Sequence, residues 1–182
     1  MEEKLIVLFP GRNYPVECPT LYYARQVALI KGYKCISIHY SDISKDRSIE
    51  LSSLADILES EVNNQLEQID WSTYRDIIFV SKSIGTVIAG RYAQKNNLQV
   101  KNIYLTPLKE TMNYMWSDNS IVVIGEDDEY INFNYLFDYC KKNNIIIYPF
   151  KGVGHSFNDK VHIDKSISIL NDIVNIYKQY II

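Results

Sequence analysis

Apolar and polar positions alternate along the 182 residues in a way that separates short continuous apolar runs from longer amphipathic stretches. Six runs, at 5–9, 34–40, 77–80, 100–105, 121–124 and 145–150, are short and bounded by turn residues. Continuous apolar runs of this length predict strands covered on both faces. Residues 19–31 predict a helix, with Leu21, Ala24, Ala28 and Leu29 near helical spacing and Gly32 placed as its C-terminal cap. A polar loop at 41–48 leads to a long amphipathic helix ending near 69. Its stripe is Leu51, Leu54, Leu58, Val62, Leu66 and Ile69, and Glu50, Asp56, Glu59, Glu61 and Glu67 form an acidic face expected to be solvated. A third helix follows the run at 77–80. A fourth begins near 132 with Phe133, Leu136, Phe137 and Cys140 as its stripe, and a last one carries Ile163, Ile167, Leu170 and Val174.

Strands alternating with helices imply an α/β chain: a three-layer sandwich with a mainly parallel six-stranded sheet and helices on both faces. Right-handed crossovers then gather the loops that follow the strands at one edge, where such sheets bind ligands. At this length and 47% hydrophobic residues, 1–182 is expected to form a single domain with a sizeable core. No linker, repeat or low-complexity tract interrupts it.

Composition narrows the partner. Nineteen Lys and Arg against 22 Asp and Glu leave a net charge of −3 with no basic cluster, so nothing favours nucleic acid or an anionic membrane surface. A small-molecule substrate is expected. Cys18, Cys35 and Cys140 are odd in number and show no CxxC spacing, which predicts free thiols in a reducing compartment, no structural zinc and no metal cofactor. The start, Met-Glu-Glu-Lys followed by the apolar run at 5–9, is acidic and too short for a signal peptide, and no run reaches membrane-spanning length. A cytoplasmic location is expected.

The stretch at 76–90 carries the most chemistry. It reads as a buried strand, a sharp turn and a helix, with Ser83 at the apex of Ser81-Lys82-Ser83-Ile84-Gly85. A nucleophile on a tight strand-to-helix turn sits in strained backbone, so the residues two before and two after it must be small. Ser81 and Gly85 meet that requirement. Five of the seven glycines, Gly11, Gly85, Gly125, Gly152 and Gly154, fall just after strands, so conformational freedom is concentrated at one edge of the sheet.

Ser-x-Ser-x-Gly after a strand, Gly-x-x-Asp after a later strand and Gly-His before the final helix, in the order Ser, Asp, His, resemble the α/β-hydrolase superfamily, as a small member without a cap. The resemblance spans nearly the whole chain. The sheet would begin at the family's third strand, and the segment 107–119 is too short for a full lid. What the resemblance implies is an esterase-like serine hydrolase with a minimal α/β-hydrolase fold and no cofactor. Its catalytic triad would have Ser83 as the serine nucleophile, His155 as base then acid, and Asp128, preferred to its neighbour Asp127, orienting the histidine.

The other histidines fit that role less well. His39 falls in the second strand and is expected to be packed there, and His162, early in the last helix, is expected to be exposed or capping. An oxyanion needs backbone N–H donors, each worth roughly 3 kcal/mol in other hydrolases. One is expected from Ile84, directly after the nucleophile; the resemblance of Pro10-Gly11-Arg12 to the family's His-Gly-x, with proline in place of histidine, implies Arg12 as the other. Tyr14, Lys82, Met112, Met115, Trp116, Tyr130 and Phe157 are candidates for the substrate pocket, with core packing the alternative for the apolar ones; Arg12 and Lys82 would give a cationic rim if both lie near it, and plain surface charge is the reading preferred for them. The predicted reaction is cleavage of a small ester or thioester through an acyl-enzyme. The alternative is a non-catalytic small-molecule-binding protein on the same fold. A nucleotide-binding domain is disfavoured, because neither GxGxxG nor GxxxxGK[ST] occurs.

Overall fold

The computed structural model describes residues 3–159 and 161–182. Six strands, β1 (Glu3–Phe9), β2 (Lys34–Ser37), β3 (Tyr74–Lys82), β4 (Lys101–Leu105), β5 (Ser120–Gly125) and β6 (Ile146–Phe150), form one sheet in the order β2-β1-β3-β4-β5-β6. Every neighbouring pair is parallel. The helices between them are α1 (Pro19–Ile30), α2 (Leu51–Leu66), α3 (Ile84–Lys95), α4 (Phe133–Lys142) and α5 (Ile163–Tyr180). Among the described residues, no helix is long and apolar enough to cross a membrane.

Because side chains alternate along a strand, each central strand feeds two cores. Ile6, Leu8, Ile78, Val80, Ile103 and Leu105 pack with Leu21, Ala24 and Ala28 of α1 and with Ile169, Ile173, Ile176 and Tyr177 of α5. Leu5, Val7, Phe9, Ile77 and Phe79 pack on the other face with Leu54, Leu58, Val62 and Leu66 of α2 and with Val87 and Ile88 of α3. A third cluster joins Tyr104, Val122 and Ile124 to Leu136 and Cys140 of α4. Burying each such Leu, Ile or Phe side chain contributes about 1.5–3 kcal/mol. Strand β3 lies at the centre of this arrangement, with Ile78, Phe79 and Val80 all at 0% exposure.

Several expectations need correction. Strand β2 stops at Ser37; the Ile38 N–H donates to the Leu8 carbonyl, and β1 then ends at Phe9. His39 is therefore outside the sheet and exposed, and its main chain is held by the Gln65 side chain at 3.0 and 2.8 Å. On α5 the buried stripe is Ile169, Ile173, Ile176 and Tyr177, while Ile163 and Ile167 are exposed. Both stripes have helical spacing, and only the packing against α1 and the sheet selects between them. Phe137 and Leu29 are likewise exposed, at the edges of their helices' buried faces. The acidic face of α2 is not simply solvated. Asp56 and Glu59 pair with Arg91 of α3 at 2.6 and 3.7 Å, and Glu59 also meets Lys95 at 3.3 Å.

The strand order reverses between β1 and β3: the chain leaves β1 for β2 on one side and leaves β3 for β4 on the other. That reversal opens a crevice beyond the carboxyl ends of the two strands. The loop after β1 and the turn after β3 meet there: a Cβ placed on Gly11 would lie 3.4 Å from the Ser83 Cβ.

Candidate active site

Ser83 follows β3 directly and precedes the first residue of α3, with φ 55° and ψ −124°. A non-glycine residue rarely adopts this backbone, and it costs on the order of 1–3 kcal/mol. Its surroundings over-determine it. The Ser83 N–H donates to the Leu105 carbonyl at the end of β4 (3.0 Å), and its carbonyl accepts from the Thr86 N–H (2.9 Å) and the Thr86 hydroxyl (2.6 Å). Gly85 lets α3 start hard against β1, since a Cβ there would meet the Phe9 carbonyl oxygen at 2.7 Å.

His155 lies on the loop between β6 and α5. Its Nε2 is 2.8 Å from Ser83 Oγ, and its Nδ1 is 2.8 and 3.0 Å from the two carboxylate oxygens of Asp128. Asp128 has a fully buried side chain and also accepts the Tyr130 N–H at 2.9 Å. Asp127, next to it, is exposed and turned away; its N–H donates to the Val153 carbonyl at 3.0 Å. That contact brings the acid loop and the histidine loop together. Gly125 makes it sterically feasible, because a Cβ there would come within 2.8 Å of the Gly154 carbonyl oxygen. The Tyr130 ring covers the imidazole at 4.5 Å between centroids. His162 caps α5 without a side-chain hydrogen bond and is exposed.

A cavity of about 450 Å³ opens over Ser83 and His155, lined also by Arg12, Tyr14, Lys82 and Tyr130. The Tyr14 hydroxyl turns inward and accepts from the Thr20 N–H and hydroxyl at 3.1 and 3.0 Å; burial raises its pKa. Met112 and Met115, expected at the pocket wall, instead belong to the core of β4, β5 and α4, and Trp116 stands apart from this cavity. Phe157 is buried in the core shared with α1 and α5 rather than lining the cavity.

Arg12 and Lys82 both line the cavity, but the charged ends of both are tied to main-chain carbonyls. The Arg12 guanidinium donates to the carbonyls of Ser44 (3.2 Å), Asp46 and Ile49 (2.9 Å), fastening the loop after β1 to the segment before α2. Among the described residues, the Arg12 main-chain N–H has no hydrogen-bond partner. Ile84, at the first position of α3, has an N–H that its own helix cannot satisfy. Lys82 is 1% exposed, and its amine reaches Thr106 Oγ1 and the His155 carbonyl. Burial depresses its pKa to about 7, against the opposing pull of Asp128 and Glu129.

Sequence reasoning did not single out Thr106 or the role of Glu129, whose Oε2 accepts the His155 N–H at 3.3 Å. Thr106 was detectable as the residue just after the fourth strand, at the edge where the other site residues lie.

No family model matches this chain, and no curated protein matches it in sequence. Solved structures do match its shape. A protein described as a hydrolase of the α/β superfamily from Xanthomonas campestris pv. campestris superposes with a TM-score of 0.67 at 11% identity, covering 97% of this chain and 99% of its own. Est1E from Butyrivibrio proteoclasticus, with ferulic acid bound, gives 0.68 at 13% identity over 99% of this chain and 89% of its own. The α/β-hydrolase domain-containing protein 10 from mouse gives 0.64 at 12% identity, covering 96% and 90%. Likeness at such low identity speaks to architecture, and with the all-parallel sheet and its flanking helices it establishes that this chain has the α/β-hydrolase fold.

Proposed function

We propose that the protein is a serine hydrolase that cleaves a small ester or thioester through an acyl-enzyme. The observation that carries this reading is the unbroken run of contacts from Asp128 through His155 to Ser83, each link at 2.8 Å. A serine hydroxyl becomes nucleophilic when a base within hydrogen-bond reach takes its proton, and a buried carboxylate holds the imidazole tautomer that does so.

In the proposed reaction, Ser83 Oγ attacks the substrate carbonyl carbon while its proton passes to His155 Nε2. Asp128 stabilises the resulting imidazolium through the Nδ1 proton. The main-chain N–H groups of Ile84 and Arg12 receive the oxyanion, and among the described residues neither has a backbone partner, as that role requires. Collapse of the tetrahedral species expels the alcohol or thiol, protonated by His155. Water, deprotonated by the same imidazole, then releases the acid and restores Ser83.

The open cavity of about 450 Å³ suits a small substrate. The Butyrivibrio neighbour binds ferulic acid, an aromatic carboxylic acid, which accords with a carboxylate-releasing reaction here. The proposal takes 1–182 as one catalytic domain, and the free thiols of Cys18, Cys35 and Cys140 accord with a reducing, cytoplasmic setting.

The test is covalent labelling with a fluorophosphonate probe, together with turnover of short-chain p-nitrophenyl esters. Labelling of the native protein at Ser83, lost in Ser83→Ala, and turnover lost in His155→Ala are the expected results. A protein that neither labels nor turns over esters would instead be a binding protein on this fold.

A further inference from the structure

Lys82 is an anomaly that the proposed chemistry leaves unused. The strand alternation that points Ile78 and Val80 into the core with α1 and α5 points Lys82 the same way, so its side chain enters the apolar layer at the end of β3. It is among the largest side chains with under 2% exposure, and among the described residues it makes no salt bridge: the Asp128 carboxylate is taken by His155. Burying an amine in such a place is costly unless its N–H groups are satisfied. Two acceptors satisfy it: the Thr106 hydroxyl after β4, and the His155 main-chain carbonyl at 2.6 Å. The Tyr14 and Phe157 rings flank Nζ at 5.4 and 5.3 Å.

The contact from Lys82 to the His155 carbonyl spans 73 residues of sequence and joins the strand that leads into Ser83 to the loop carrying His155. Among the described residues, the main-chain N–H of His155 has the longer contact, to Glu129 Oε2 at 3.3 Å. Lys82 thus makes the shorter of the two main-chain ties on the histidine, one residue before the nucleophile.

We propose that Lys82 is a positioning residue: its amine, bridging Thr106 and the His155 carbonyl, fixes the histidine loop so that Nε2 stays in register with Ser83 Oγ. The tether does not require the charge. A neutral amine retains two N–H donors, enough for both acceptors. Burial does push the Lys82 pKa down to about 7, so the neutral form is accessible near neutrality. A lysine retained there at a cost to stability is explained by placement of the histidine.

The inference rests on the serine-hydrolase reading for its catalytic consequence but not for its structural one. Lys82→Met keeps the aliphatic volume and removes both donors. The expected result is a fall in kcat of about 10²-fold, the effect of displacing a catalytic group by about 1 Å, with KM within about twofold. Amide hydrogen exchange at 153–157 should speed up while the thermal midpoint does not fall, which a merely structural role would not produce. Thr106→Val removes one acceptor with little change of shape and should lower kcat by about tenfold, whereas Thr106→Ser should restore it.

Unchanged kcat and unchanged exchange at 153–157 in Lys82→Met would overturn the proposal. If that variant does not fold, the same null result in Thr106→Val overturns it. A native protein that does not label with fluorophosphonate, but whose loop exchange rises in Lys82→Met, would overturn the hydrolase reading and leave the tether standing.

Discussion

Lys82 also makes a sharp prediction about stability and pH. In the unfolded chain its pKa is the ordinary 10.5, and in the folded protein burial lowers it to about 7. Between these values the unfolded state holds the extra proton, so the free energy of unfolding rises with pH. Taken over the whole interval, the fall from 10.5 to about 7 corresponds to about 5 kcal/mol of cost that is fully present below pH 7. From pH 7 to pH 9 the two titration curves recover about 2 kcal/mol of it. The charged or titratable groups facing the amine are Tyr14 from the loop after β1, Asp128 and Glu129 from the loop after β5, and His155 from the loop after β6. Burial raises the pKa of Cys18, Cys35 and Cys140, which opposes the gain only above about pH 9. Urea titrations of the native protein and of Lys82→Met at pH 7, 8 and 9, at constant ionic strength, isolate the lysine, since every other group is common to both. The native protein should gain about 2 kcal/mol over that range relative to the variant. Parallel stability curves for the two proteins would refute the reasoning.

Other perturbations test the rest of the site. Asp128→Asn should lower kcat by about 10⁴-fold, the loss seen when a serine-protease triad loses its carboxylate, while Asp127→Asn should stay within a few-fold, both measured on a p-nitrophenyl ester. Gly125→Ala drives a Cβ into the backbone at Val153 and Gly154 and should cost about 1–3 kcal/mol in a urea titration while also lowering kcat, because it parts the acid and histidine loops. A substitution that leaves both values unchanged would count against that close approach. At Ser83, with φ at 55°, the glycine variant should be more stable than the alanine variant by about 1 kcal/mol, although neither should label with fluorophosphonate.

Much of the architecture was legible because local patterns encode it. Continuous apolar runs such as 77–80 are stable only between two covering layers, and β3 is buried on both faces. The loop glycines mark where chains cross closely, as Gly85 does against β1 and Gly125 against the histidine loop. Ser-Lys-Ser-Ile-Gly between a strand and a helix foretold the strained turn at Ser83, whose small neighbours are needed by any residue in that backbone. Helical stripes were legible in period but not in phase. On α5 two apolar stripes compete, and the outcome depends on how α1 and the sheet meet the helix.

The sequence by itself determined the order of strands and helices, the parallel sheet, and the edge at which Ser83, Asp128 and His155 stand. Those properties follow from residues a few positions apart, through propensity, periodicity and the backbone freedom of glycine. Only the tertiary structure decided that Asp128 rather than Asp127 faces the imidazole, because the turn after β5 buries one and exposes its neighbour. It also turned two cations that read as surface charge into ties: Arg12 to carbonyls 32–37 residues away, and Lys82 to a carbonyl 73 residues away. A side chain's burial and its partners depend on segments remote in sequence, so the same lysine reads as a surface charge in the chain and stands as a buried tether in the fold.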